Sequence, residues 1–162
     1  MSSSDDDWTM TTAPVRIVVD ASFALALYIP EERTDEVLSL YASWTERRNE
    51  LLAPDLWTYE ITSVAYKCVC DNRLTADEAR ETIERILALP IHQARPADLH
   101  QRALRLACDL HLGRAYAYDA HYLAVAEMEN ADMWTLDKKL YNAVHARLRW
   151  VHLVGKPDTE LN

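Results

Sequence analysis

Apolar and polar positions change period repeatedly along this chain. Val15-Arg-Ile-Val-Val19 is a β-branched run bounded by Pro14 and Asp20, too short and too branched for a helix, and it predicts a buried strand. Ala21 to Tyr28 follows as a short helix stopped by Pro30. Thr34 opens another over 34–48, with Val37, Leu38, Tyr41 and Trp44 at helical spacing. Leu51-Leu-Ala53 predicts a second strand, and Pro54-Asp55 starts a helix running to Asn72. Thr75-Ala-Asp-Glu78 is a capping box for a helix that carries Ala79, Ile83, Ile86 and Leu87 on one face and ends at Pro90. Ile91-His-Gln93 predicts a third strand. Pro96 starts a helix over 99–112 with Gly113 in the C′ role. A helix over 118–129, a strand over 133–135, a helix over 138–147 and a strand over 149–154 complete the pattern.

Strands thus alternate with helices, and only two glycines occur among 162 residues, which disfavours a hairpin-rich sheet. An α/β sandwich with a small parallel sheet follows, as one domain over 14–156. Residues 1–13, rich in Ser, Thr and Asp, are expected to be a disordered lead, and 157–162 a C-terminal tail. The 26 Asp and Glu against 17 Lys and Arg give a net charge of −9, so bulk electrostatics will not hold DNA or an anionic membrane to this surface. No uncharged apolar run approaches the ~18 residues that cross a bilayer, and Met1-Ser-Ser-Ser-Asp-Asp-Asp-Trp8 is acidic where a signal peptide is basic. A cytoplasmic protein without membrane contact is expected. Cys68, Cys70 and Cys108 lack metal-binding spacing and are expected to be reduced, buried thiols.

Ligands of an open parallel sheet bind beyond the carboxyl ends of its strands. Asp20 follows the first strand directly, and Asp137 follows the 133–135 strand by one residue. Asp119 opens the helix before that strand and shares a face with Leu123 and Ala126, so it is expected to point inward. Glu60 flanks the apolar stripe of Trp57, Ile61, Val64 and Cys68. Taken singly, the three aspartates read as helix N-caps and Glu60 as a solvated helix residue. Taken together, four convergent carboxylates would repel one another and pick up protons unless a cation neutralised them. With oxygen ligands and no His or Cys at metal spacing, that cation is a hard one, Mg²⁺ or Mn²⁺.

Four segments, Val18-Val-Asp20-Ala-Ser22, Tyr59-Glu60-Ile61, Ala117-Tyr-Asp119-Ala-His-Tyr-Leu-Ala-Val-Ala126 and Thr135-Leu-Asp137-Lys-Lys-Leu140, resemble in content and order the acid motifs of PIN-domain ribonucleases, in particular the VapC toxins. The resemblance spans about residues 15–154, and its third and fourth motifs are the specific ones. It implies a PIN-like three-layer α/β/α sandwich with a small, mainly parallel central sheet. It also implies a metal-dependent endoribonuclease acting on RNA, the toxin of a toxin-antitoxin pair, working as a homodimer with an antitoxin partner. Asp20, Glu60, Asp119 and Asp137 would form the pocket, the three aspartates nearest the metal, with Ser22 and Thr135 supporting them. Tyr116 departs from the pattern, standing where such toxins often carry Ser or Thr.

Lys138 and Lys139 beside Asp137, and Arg114 before the Asp119 helix, are candidate phosphate contacts. His121 is expected to be exposed or packed, not a ligand, and Trp44, Trp57 and Trp134 to be core or interface rather than base-stacking groups. The apolar excess on the 34–48 and 55–72 helices predicts a dimer surface or a groove for a partner's amphipathic segment. The competing functions are a catalytically silent PIN-like interaction module, and an aspartyl phosphotransfer domain, which would need a second Asp near the first strand.

Overall fold

A computed structural model of the chain describes residues 14–30 and 33–155. The expected lead over 1–13 and tail over 157–162 lie outside the described residues. Five strands, β1 (Arg16–Val19), β2 (Glu50–Ala53), β3 (Ile91–Gln93), β4 (Asp132–Thr135) and β5 (Val151–Leu153), form one sheet in the order β3-β2-β1-β4-β5, every pair parallel. Seven helices connect them: α1 (Ala21–Ala26), α2 (Thr34–Glu46), α3 (Leu56–Cys70), α4 (Ala76–Leu87), α5 (Leu99–Asp109), α6 (Asp119–Met128) and α7 (Lys138–Val144). The expected α/β sandwich with a small parallel sheet is the observed fold.

β1 and β2 are buried on both faces from their second residue on, as strands sandwiched between helices require, whereas the edge strand β3 exposes His92. Val18, Leu52, Met133 and Val151 look toward α3, α5, α6 and α7 and join the larger core. Ile17, Val19 and Leu51 look the other way, onto Val37 and Trp44 of α2 and Phe23 of α1. Trp44 stacks on Phe23 at 5.1 Å between ring centroids and meets Trp134 edge-on at 5.6 Å. Trp44 and Trp57 are therefore core residues, as expected.

Helix ends are where the glycine-poor sequence shows. Arg48, Asn72, His111 and Asn130 each adopt a left-handed backbone, with φ of 55°, 54°, 54° and 50°, just beyond α2, α3, α5 and α6. The next amide in each case closes back onto the helix: Asn49 to Trp44, Arg73 to Cys68, Leu112 to Ala107 and Ala131 to Ala126. These are Schellman closures without glycine. The role expected of Gly113 falls to His111, so α5 stops at Asp109, and Gly113 instead precedes a 3-10 turn over Arg114–Tyr116. The capping box at Thr75 and Glu78 is present as expected. Of the three thiols only Cys68 is buried; Cys70 and Cys108 are exposed, because they fall on the outward faces of α3 and α5.

Candidate active site

Strand order reverses at β1. The chain leaves it toward β2 and β3, then returns to place β4 on its other side. A crevice opens at such a switch point beyond the carboxyl ends of the strands. Asp20 stands at the end of β1, and Asp137 lies two residues beyond Thr135 at the end of β4.

Asp20 caps α1 and is held from three sides. Its Oδ1 accepts from Ser22 Oγ at 2.6 Å and from the Phe23 amide at 2.9 Å, while its Oδ2 accepts from Thr135 Oγ1 at 2.6 Å. Thr135 is fully buried, and its hydroxyl accepts the Asp137 amide at 2.9 Å. One hydroxyl thereby ties the acid after β1 to the acid after β4. Asp137 is exposed and caps α7, its Oδ1 taking the amides of Lys139 at 2.7 Å and Leu140 at 3.1 Å. Both aspartates are N-caps, as each reads when taken singly, and both stand at the carboxyl edge of the sheet.

Asp119 is different. It is the first residue of α6, the cap position belongs to Tyr118, and no side-chain cap bond forms. Half-burial, followed by the charges of Asp137 and Asp20, pushes its carboxyl up to about 6. Glu60 is also raised, first by burial and then by Asp119 and Asp20, against a hydrogen bond donated by the Tyr122 hydroxyl. Asp20 is partly exposed by surface area, yet enough protein surrounds the carboxylate that burial dominates. Burial raises its pKa, the bonds from Ser22, Thr135 and Phe23 pull it down, and Asp137 adds a smaller rise.

Tyr122 was not among the residues picked out by sequence. Its ring is 1% exposed and its hydroxyl reaches across from α6 to Glu60 on α3. The signal was available: Tyr122 follows Asp119 by three residues, one turn along the same inward face, and a buried tyrosine hydroxyl needs a partner. Burial first, and then the Glu60 carboxylate, raise its pKa far above the ordinary tyrosine range.

Among the described residues none of the four acids is in an ion pair. A hard divalent ion fits this donor set. Yet no three acidic, His or Cys side chains among the described residues come together closely enough to hold an ion by themselves.

The geometry accords with the comparison with known proteins. The family model of the PIN domain matches residues 17–145. This chain belongs to the PIN domain family. It is 34% identical over 130 residues to Ribonuclease VapC3 of Pyrobaculum aerophilum, covering 78% of this chain and 92% of that one. Among solved structures it resembles VapC20 of Mycobacterium tuberculosis, a sarcin-ricin loop cleaving toxin, with a TM-score of 0.60 and 19% identity over 79% of this chain and 95% of the other. It also resembles a toxin-antitoxin complex from Klebsiella pneumoniae, at 0.60 and 16%, over 84% and 95%. These two likenesses establish the shared fold.

Around the acids of this PIN domain, Lys138, Lys139 and Arg114 are all exposed and make no ion pair among the described residues, which leaves them open to an anion. Tyr116 is half-buried against the core. His121 faces His100 at 3.1 Å between ring nitrogens, and its other nitrogen meets the Ala117 carbonyl, away from the acids. No helix of the described residues is long and apolar enough to cross a membrane.

Proposed function

We propose that this PIN domain is an endoribonuclease that hydrolyses RNA phosphodiesters with Mg²⁺ or Mn²⁺, and that it is the toxin of a toxin-antitoxin pair. The observation that carries the reading is Asp119, a half-buried carboxylate with no cap bond and, among the described residues, no ion pair, pushed up to about 6 beside Asp20 and Asp137. A structural aspartate in such a position would be replaced by a neutral residue at no cost to the fold, so the strain points to function. The ribonuclease relative and the toxin-antitoxin complex with the same fold support the substrate class and the antitoxin partner.

Of Asp20, Asp119 and Asp137, one or two would bind the cation directly and the rest through its waters; when bound, the cation would supply charge neutralisation for the phosphodiester and lower the pKa of water. Ser22 and Thr135 fix both oxygens of Asp20, so this acid is oriented before substrate arrives. Glu60, which accepts a hydrogen bond from Tyr122, would orient the attacking water and accept its proton. Lys138, Lys139 and Arg114 give the local positive rim that a chain of net charge −9 otherwise lacks. Exposed Leu38, Tyr59, Val64 and Tyr66 on α2 and α3 fit the apolar surface expected for a homodimer or an antitoxin segment, and we place the protein in the cytoplasm.

Purified protein and its Asp119→Asn variant, incubated with a mixed RNA pool with and without EDTA, test the reading. Cutting by the wild type alone, abolished by EDTA and restored by Mg²⁺, is expected. Equal cutting by both proteins, or cutting that survives chelation, overturns it. An intact RNA pool under every condition would favour the silent interaction module.

A further inference from the structure

Two imidazoles meet between α5 and α6. His100, exposed in the first turn of α5, faces His121, partly exposed in the first turn of α6, with 3.1 Å between His100 Nδ1 and His121 Nε2. The other nitrogen of His121, Nδ1, lies 3.1 Å from the Ala117 carbonyl. A carbonyl only accepts, so that nitrogen carries the proton and Nε2 keeps a lone pair aimed at His100. Among the described residues the Nε2 of His100 makes no hydrogen bond, so the His100 proton can sit there on the solvent side, and Nδ1 then turns a second lone pair into the same gap. The helices hold the rings at this spacing. Along α5 and α6, Ala103 and Ala120 are buried, and Arg102 forks onto both carboxylate oxygens of Glu127.

We infer that His100 and His121 form a second metal site, which chelates a divalent transition ion of the Zn²⁺ class and straps α5 to the first turn of α6, the turn that carries Asp119. Two imidazole nitrogens, each about 2.0–2.1 Å from a Zn²⁺ ion, stand about 3.3 Å apart at the tetrahedral angle, so the gap has to open by about 0.2 Å to admit the ion. The bond from His121 to the Ala117 carbonyl is the outer contact that metal-bound histidines make, and it sets tautomer and ring orientation before the ion arrives. Imidazole suits Zn²⁺, Ni²⁺ and Cu²⁺, whereas the oxygen ligands at the sheet edge suit hard ions, so the two places differ in the metal they take. No third acidic, His or Cys side chain among the described residues joins the pair, so water completes the coordination and leaves the ion exchangeable. Sequence spacing gives no sign of the pair, because its members are 21 residues apart on different helices. The site stands whether or not the acids cut RNA.

Calorimetric titration of the purified protein with zinc chloride, in excess Mg²⁺ to keep Zn²⁺ off the acids, tests this. One Zn²⁺ is expected to bind, and His100→Ala and His121→Ala are each expected to weaken it roughly 100-fold by removing the chelate. Cys70→Ser and Cys108→Ser, which take away the exposed thiols, and Asp119→Asn should bind Zn²⁺ as the wild type does. Imidazole nitrogen NMR of the wild type, which depends on no variant folding, should show His100 Nδ1 and His121 Nε2 shifting together with added Zn²⁺ and standing still with Mg²⁺. Zn²⁺ should also raise the urea midpoint of the wild type and leave that of either His variant in place. Zn²⁺ affinity unchanged in either His variant overturns the inference. So do ring signals that stay put at saturating Zn²⁺, which would leave a plain hydrogen bond between the two rings. A site lost in a Cys variant or in Asp119→Asn with the His variants intact belongs to the thiols or to the acids, and overturns it too.

Discussion

Replacing Asp119 by Asn should abolish cleavage and, in the metal-free protein, raise stability. The carboxyl is pushed from its ordinary 3.8 to about 6 by burial and by the charges of Asp137 and Asp20. A rise of that size corresponds to about 3 kcal/mol of disfavoured ionisation, which partial exposure trims to about 2. Asp119 also lies in the first turn of α6, where the helix dipole favours a negative charge by about 0.5 kcal/mol. The net gain from the neutral side chain is then about 1.5 kcal/mol. The folded state binds the Asp119 proton more tightly than the unfolded chain does. This contribution is therefore fully present below about pH 3.8 and is lost as the pH rises through about 6. Urea titrations in EDTA, followed by tryptophan fluorescence, read it. At pH 8 the Asn variant should unfold at a midpoint about 0.5–1 M urea above wild type, and near pH 4 the two curves should coincide. Saturating Mg²⁺ should stabilise wild type and leave the variant unmoved. A variant no more stable than wild type at pH 8, or a gain of the same size at both pH values, refutes the claim that Asp119 sits in an uncompensated acidic cluster.

Tyr122→Phe removes the hydrogen bond that holds Glu60 down. Glu60 should then titrate higher, and the acid limb of the pH–rate profile should move to higher pH with kcat reduced; an unmoved limb would separate Glu60 from the proton transfer. Thr135→Val leaves Asp20 Oδ2 and the Asp137 amide without their shared partner and should cost about 1–3 kcal/mol in urea unfolding together with most of the activity, whereas Thr135→Ser should keep both. His111→Gly, at a φ of 54°, relieves a left-handed backbone at the end of α5 and should raise stability by about 0.5–1 kcal/mol, seen as a melting temperature a few degrees higher, with cleavage unchanged.

The strands, the order of helices and the acids at the strand ends were legible because each rests on local pattern. The β-branched run over 15–19 has no helical alternative, and the capping box at Thr75 and Glu78 closes within one turn. The parallel sheet follows from the alternation, and with it the rule that puts Asp20 and Asp137 at one edge. What escaped depends on more than residue type. Gly113 is the expected end of α5 because glycine is the usual left-handed residue, but the left-handed position is His111, two residues earlier, and the Leu112 amide closes the helix onto Ala107. Cys70 and Cys108 were assigned to the core on residue type, whereas exposure depends on which side of a helix meets a neighbour. Tyr122 belongs to the same class: its partner Glu60 lies 62 residues away, and only the docking of α6 on α3 brings them together.

The Thr135 hydroxyl has a consequence for the cell that makes this protein. Position 135 is the last residue of the strand that slots between β1 and β5, so the link between the acids at 20 and 137 forms only once that late segment has been translated and has found its register. A polypeptide still on the ribosome carries Asp20 and Glu60 without the other half of the pocket. Nascent chains and strand-slipped misfolds therefore lack the joined pair of acids, and whatever activity depends on that pair begins only with the completed sheet.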